Sequence, residues 1–359
     1  MTGGRCGATC GSTGGWRGCP SGCRVRRIER EIVVTPGGRM GSYGHSFMKT
    51  LMCLFTIGAV AALPAGLEAK IVRTVEKTFS VQPGGNFRAL TQGGDIKVST
   101  ADIGEVRITA RQVFRTDSEK KADEMLSEMT FKLEQQGNDI VAEARYEKRA
   151  INWLGHWPPA SVDLTVTLPR NFNLDIKTSG GDIAVGSLRG TVKARTSGGD
   201  LKFARIDGDI DAHTSGGDIR LEEGTATARL HTSGGDIGVN RAGGQTTVST
   251  SGGDIHLDSV AELVRATTSG GDIVARITRP IKADTELSTS GGRVKVFVPK
   301  DSGFALDART SGGDVDAEGL TMTIERGGVG KSRLAGSVNG GGPRLTLRSS
   351  GGDIVIRAE

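Results

Sequence analysis

From Lys70 to Glu359 the sequence contains no cysteine: all five, Cys6, Cys10, Cys19, Cys23 and Cys53, come earlier. That stretch folds without disulfides and carries no thiol for catalysis or metal binding. Aromatic residues make up only 4% of the chain, which argues against one large globular core and for a thin core of aliphatic side chains. Net charge is lacking too. The formal +5 is an excess of the leader: residues 1–69 hold eight of the 46 Lys and Arg and three of the 41 Asp and Glu, so the remainder is balanced at 38 of each. A balanced body has no general electrostatic footprint for phosphate backbones, and no nucleic-acid partner is expected. The apolar run Leu51 to Leu63 falls short of the ~20 residues a membrane-spanning helix needs, so the mature chain is expected to have no transmembrane span.

What the chain has in quantity is glycine, 55 residues, placed with a fixed period. Thr178-Ser179-Gly180-Gly181-Asp182 returns at Thr196, Thr214, Thr232, Thr250 and Thr268, always 18 residues on. Such a period marks a stacked repeat in which each unit buries its apolar face against its neighbours. The candidate turn residues are Gly180, Gly181, Asp182, Gly198, Gly199, Asp200, Gly216, Gly217, Asp218, Gly234, Gly235, Asp236, Gly252, Gly253, Asp254, Gly270, Gly271 and Asp272. Paired glycines are expected to let the chain reverse through positive φ, with Asp or Ser bonding nearby backbone N–H groups. The threonines are expected to form a hydrogen-bonded ladder at the edge of the core.

Aligned modulo 18, the residues after each Gly-Gly-Asp give two inward columns, Ile183 to Ile273 and Val185 to Ala275. A second strand before each motif gives two more, Leu174, Val192, Ile210, Ala228, Thr246, Val264 and Ile176, Ala194, Ala212, Leu230, Val248, Ala266. The expected fold is all-β, a parallel β-solenoid of about 18-residue coils, each with two strands and two turns. A propeller blade needs about 40–45 residues and is excluded. Outward, Asp175, Lys193, Asp211 and Arg229 would stack with alternating sign, which favours this register. Past Asp272 the step lengthens to 21 residues, with Arg293 in the Asp position, and Ile354 to Ile356 ends the chain as a strand whose outer edge needs a partner or protection.

Ahead of the array, Met48 to Ala69 reads as a secretory signal peptide with cleavage expected after Ala69, after Ala65 being the alternative. Residues 1–47 are expected to be a disordered, over-extended start; a zinc knot from Cys6, Cys10, Cys19 and Cys23 is the alternative. Residues 70–160 form an N-terminal β region, and 161–359 the array. Within the former, 117–129 has helical spacing after a candidate N-cap at Thr116, and one short helix is expected to cap the open end of the stack. Trp153 and Trp157 lie in a proline-rich loop and are candidate binding residues, or cover for the cap.

No cofactor, metal site or catalytic residue is expected. A calcium column on the stacked Asp would call for Gly-Gly-x-Gly-x-Asp. Ser-Gly-Gly-Asp resembles hydrolase lettering, yet a nucleophile needs one activated copy rather than a column. Gly330-Lys331-Ser332 lacks the first glycine of a phosphate loop, Glu325 standing there. His213 and His231 share an outward column, and Asp207, Asp209 and Asp211 share a corner; both sets are read as solvated face.

The signal peptide, Val75 to Phe79, Pro83-Gly84-Gly85, Leu168 to Phe172 and the Thr-Ser-Gly-Gly-Asp-Ile array together resemble a bacterial family of β-strand-repeat envelope proteins called "putative adhesins", covering Lys70 to the end. The resemblance implies the solenoid fold and an exported location: periplasm, outer surface or medium. The expected function is a non-enzymatic rigid surface for envelope interaction or adhesion, with an envelope protein or glycan as partner. A carbohydrate-binding or carbohydrate-active β-helix is the alternative.

Overall fold

The computed structural model describes residues 26–31, 70–146 and 160–359. The signal peptide and Trp153 and Trp157 lie outside them. Alternation of apolar and polar residues after each Gly-Gly-Asp makes short strands, because successive side chains point to opposite faces. Ile183–Val185 pairs in parallel with Leu201–Asp207, and that strand with Ile219–Gly224; Ile237–Ser249, Ile255–Thr267 and Ile273–Ile277 continue the ladder. The register advances by one repeat at every step, with Ile183 against Leu201 and Leu201 against Ile219.

A second parallel ladder precedes the motif: Phe172–Lys177, Val192–Arg195, Ile210–His213 and Ala228–His231, joined by the latter halves of Ile237–Ser249 and Ile255–Thr267. Asp175, Lys193, Asp211 and Arg229 fall in line as expected. The inward columns of both ladders form one continuous apolar core running from the N-terminal strands through the array. The fold is all-β and solenoid-like, with one α-helix among the described residues.

Three sequence expectations are corrected. Each coil has a third inward column, Leu188, Ile206, Gly224, Ala242, Val260 and Ile277, in register from coil to coil. It occupies what reads in sequence as a variable turn, because one apolar residue among polar ones is too weak a pattern to announce a strand. Second, Thr246 pairs with Leu263 and Thr247 with Arg265, so Val264 is the extra residue of a bulge and Leu263 takes its inward place. Third, the helix spans Glu119–Ser127 and its N-cap is Ser118, whose Oγ accepts from the Lys121 N–H. Thr116 sits two residues back, its Oγ1 accepting from the Ser118 N–H.

Both ends of the stack depart from chain order. Ile96–Ala101 slots between Ile183–Val185 and Ala160–Pro169, and Gly85–Thr91 between Phe172–Lys177 and Asp139–Tyr146. Antiparallel strands then close this end: Glu105–Phe114 and Ile71–Ser80 on one ladder, Met129–Gln136 on the other. Residues 26–31, inside the segment expected to be disordered, form a strand antiparallel to Ile71–Ser80. The helix packs here, with Ala122 buried and Arg73 reaching Glu119 and Asp123 at 2.6 Å each. At the far end the final strand Ile354–Ala358 is inserted between Val294–Val298 and Val315–Glu318. Its two edges are therefore both paired, and the outermost strand of this ladder is Val315–Glu318 instead, whose Val315 N–H is taken by the Lys331 carbonyl at 2.8 Å.

Candidate functional site

The Thr-Ser-Gly-Gly-Asp copies stack at one corner, where three side-chain roles repeat. The threonine hydroxyl donates to the second-glycine carbonyl of the preceding coil, from Thr196 to Gly181 (2.9 Å) through Thr268 to Gly253 (2.9 Å). The same oxygen accepts from the second-glycine N–H of its own motif, as Gly199 to Thr196 at 3.3 Å. The aspartate Oδ1 accepts from the backbone N–H of the Asp in the following coil, at 3.0 Å for Asp218 on Asp200 and 2.7 Å for Asp272 on Asp254. Gly93-Gly94-Asp95, a displaced copy of the Gly-Gly-Asp motif far earlier in the chain, joins the same corner, since Asp182 N–H bonds Asp95 Oδ1 at 2.9 Å.

The glycines have a different reason from the expected one. None of the six Gly-Gly pairs has positive φ; only Gly94 of the displaced copy does, at 100°. The second glycine is required by space: a Cβ at Gly181, Gly199, Gly217, Gly235, Gly253 or Gly271 would lie 2.0–2.2 Å from the carbonyl oxygen of the coil below. Stacked backbones approach too closely at this corner for any side chain.

This hydrogen bonding also answers the repulsion between stacked carboxylates. Each Oδ1 faces an N–H, and the second oxygens of Asp200 and Asp218 meet Lys202 (3.3 Å) and Arg220 (3.1 Å). The backbone N–H of Asp218 is the main reason that the Asp200 carboxyl titrates below its ordinary 3.8, with Lys202 and Arg220 adding to it against partial burial. A carboxyl with a depressed folded pKa stabilises the fold above its unfolded value, and that contribution fades as pH falls through the lower folded one. Urea midpoints are expected to drop between about pH 5 and pH 3, and less so for Asp200→Asn; parallel profiles for the two proteins would refute it. Where Arg293 replaces Asp the carboxylate ladder is interrupted, and the guanidinium binds Asp272 Oδ2 at 3.0 Å; one rung further the pattern returns, with Asp353 Oδ1 accepting from the Asp314 N–H at 3.0 Å.

On the outward side of the second ladder, just before the corner, Lys177, Arg195, His213 and His231 stand one per coil. With Ser197, Ser215 and Ser233 they line a shallow groove of about 250 Å³. Asp211 bonds both Arg195 and His213 at 3.1 Å, and His231 Nδ1 lies 2.7 Å from Ser249 Oγ. This cluster follows from the modulo-18 alignment, in which only the two histidines attract notice.

The family model described as Toastrack DUF4097 matches residues 163–357. The chain belongs to that family. Among solved structures, the Toastrack chain is similar to a "putative adhesin" from Bacteroides fragilis, with 12% identity, TM-score 0.40 and coverage of 79% of this chain and 96% of that one. A "putative lipid binding protein" from Parabacteroides distasonis gives 12%, 0.41, 80% and 97%. A "putative cell adhesion protein" from Clostridium sporogenes gives 13%, 0.20, 79% and 99%. No curated protein matches the sequence.

The remaining look-alikes of the Toastrack chain resolve into local structure. Lys331-Ser332 is the turn joining the antiparallel strands Met322–Gly330 and Arg333–Val338. Asp207 pairs with Arg205, Asp209 accepts the Thr227 N–H, and Asp211 meets Arg195 and His213, so each of the three carboxylates has its own partner. The rings of His213 and His231 lie 5.4 Å apart. Among the described residues no group of three or more His, Cys, Asp or Glu is placed to hold a metal, and no helix is long and apolar enough to cross a membrane.

Proposed function

We propose that this chain is an exported, non-enzymatic parallel β-solenoid of roughly 18-residue coils that presents a long rigid surface for cell-envelope interaction or adhesion. The observation that carries the reading is the corner. Every copy of the repeated motif is spent on holding one coil to the next: threonine on a carbonyl, aspartate on an N–H, glycine on close approach. The motif's chemistry is thereby accounted for as scaffolding, and the outward columns become fixed display positions at about 4.8 Å spacing. Repeat folds of this kind characteristically offer such extended surfaces to partners.

The test uses the protein as secreted by its host. It is expected in the periplasm, at the outer surface or in the medium, and to bind isolated envelopes saturably without releasing soluble sugar. Retention in the cytoplasm, or envelope binding no greater than that of an unrelated protein, would refute the proposal. Release of glycan fragments would favour a carbohydrate-active β-helix instead.

A further inference from the structure

We infer that the groove over Lys177, Arg195, His213 and His231 is a binding site for a linear carboxylated polysaccharide, a chain of uronate type lying along the stack. The inference rests on the envelope-surface reading and names its ligand. Lys177 and Arg195 are exposed, His213 and His231 half-exposed, and the four follow one another in strict parallel register. The adjacent outward column adds Lys193 and Arg229. Against Lys177, Lys193, Arg195 and Arg229 stand two acids, Asp175 and Asp211, so a patch of positive excess sits on a body whose charge is balanced as a whole.

The groove is finite. Its column continues as Ser249, Thr267 and Ser288, so the basic part covers four coils, three steps of about 4.8 Å or roughly 14 Å. That suits a short stretch of polymer with one anion per unit. A mixed face also selects the class of polymer. Ser197, Ser215 and Ser233 edge the groove, and Asp175 and Asp211 interleave with the cations. A uronate ring offers a carboxylate to Lys177 or Arg195 and hydroxyl donors to the serine oxygens and aspartates. A DNA backbone carries an anion at every unit but no hydroxyl along the chain to donate to the serines and aspartates, so both aspartates would meet its phosphates as uncompensated like charges.

Immobilised polygalacturonate, neutral dextran and single-stranded DNA are the probes, with the intact secreted protein in solution at low and moderate salt. Polygalacturonate is expected to bind, to weaken as salt rises, and to exceed dextran and DNA. Lys177→Gln/Arg195→Gln is expected to weaken it by about tenfold, as two exposed charge contacts would. Lys202→Gln/Arg220→Gln, on the other ladder's outward face, is expected to change it less than about twofold, the thermal melt of each variant checking the fold. Equal binding of dextran, DNA binding as tight as polygalacturonate, or equal losses in the two variants would overturn the inference. If polygalacturonate fails to bind while envelope binding persists, this site is refuted and the surface reading stands.

Discussion

Gly199→Ala is expected to destabilise the protein by about 3 kcal/mol or more, while Gly198→Ala next to it stays within about 0.5 kcal/mol. The two glycines are adjacent in sequence and neither has positive φ, so the left-handed freedom of glycine does not separate them. Space does. A Cβ on Gly199 would lie 2.1 Å from the Gly181 oxygen, 2.4 Å from its carbonyl carbon and 2.7 Å from the Asp182 nitrogen, whereas on Gly198 the nearest atom is 3.7 Å away. Neither coil can retreat, because the strands on both sides of the corner are paired above and below. In a body this size the loss corresponds to roughly 6–12 °C in melting temperature. Thermal and urea melts of the two single variants decide it; similar small losses in both would mean that the corner yields and that close stacking does not hold the array.

That contrast shows which parts of the fold were legible in sequence. The 18-residue step and the columns Ile183 to Ile273 and Val185 to Ala275 are a direct record of stacking, because parallel in-register strands place equivalent residues over one another. The reason for Gly-Gly was not legible: positive φ and close approach both demand glycine, and only coordinates separate them. Val264 illustrates a second limit. A strict modulo-18 reading assigns it inward, but a bulge passes that place to Leu263, and one inserted residue leaves no mark when both are apolar. The ends were hidden for a third reason. The pairing of Ile354–Ala358 between two earlier strands, and of Ile96–Ala101 beneath Ile183–Val185, is non-local and depends on which edge each loop can reach. Even so, the displaced Gly93-Gly94-Asp95 copy carried the clue, since it packs as one more rung of the same corner. The basic groove was latent in the same alignment, in the column just before each threonine, where Lys177 and Arg195 precede the more conspicuous histidines.

Thr232→Val is expected to cost about 2–4 kcal/mol, and Thr232→Ser about 1 kcal/mol or less. Valine keeps the shape of threonine and removes only the hydroxyl, so packing is a minor part of the difference. Thr232 is fully buried, donates to the Gly217 carbonyl at 2.8 Å and accepts from the Gly235 N–H at 3.3 Å. Removing one oxygen thus strips partners from two backbone groups, and each buried polar group left unpaired costs about 1–3 kcal/mol. Serine retains both bonds and gives up a methyl group. The protein already contains that experiment at the last copy of the motif, where Ser349 donates to the Gly292 carbonyl at 2.8 Å and accepts from Gly352 at 2.9 Å. Urea unfolding of the two variants separates the hydroxyl from the methyl. If serine proves as damaging as valine, the column acts by filling space; if valine is harmless, the coils are held by their ladders alone and the threonine latch carries no weight.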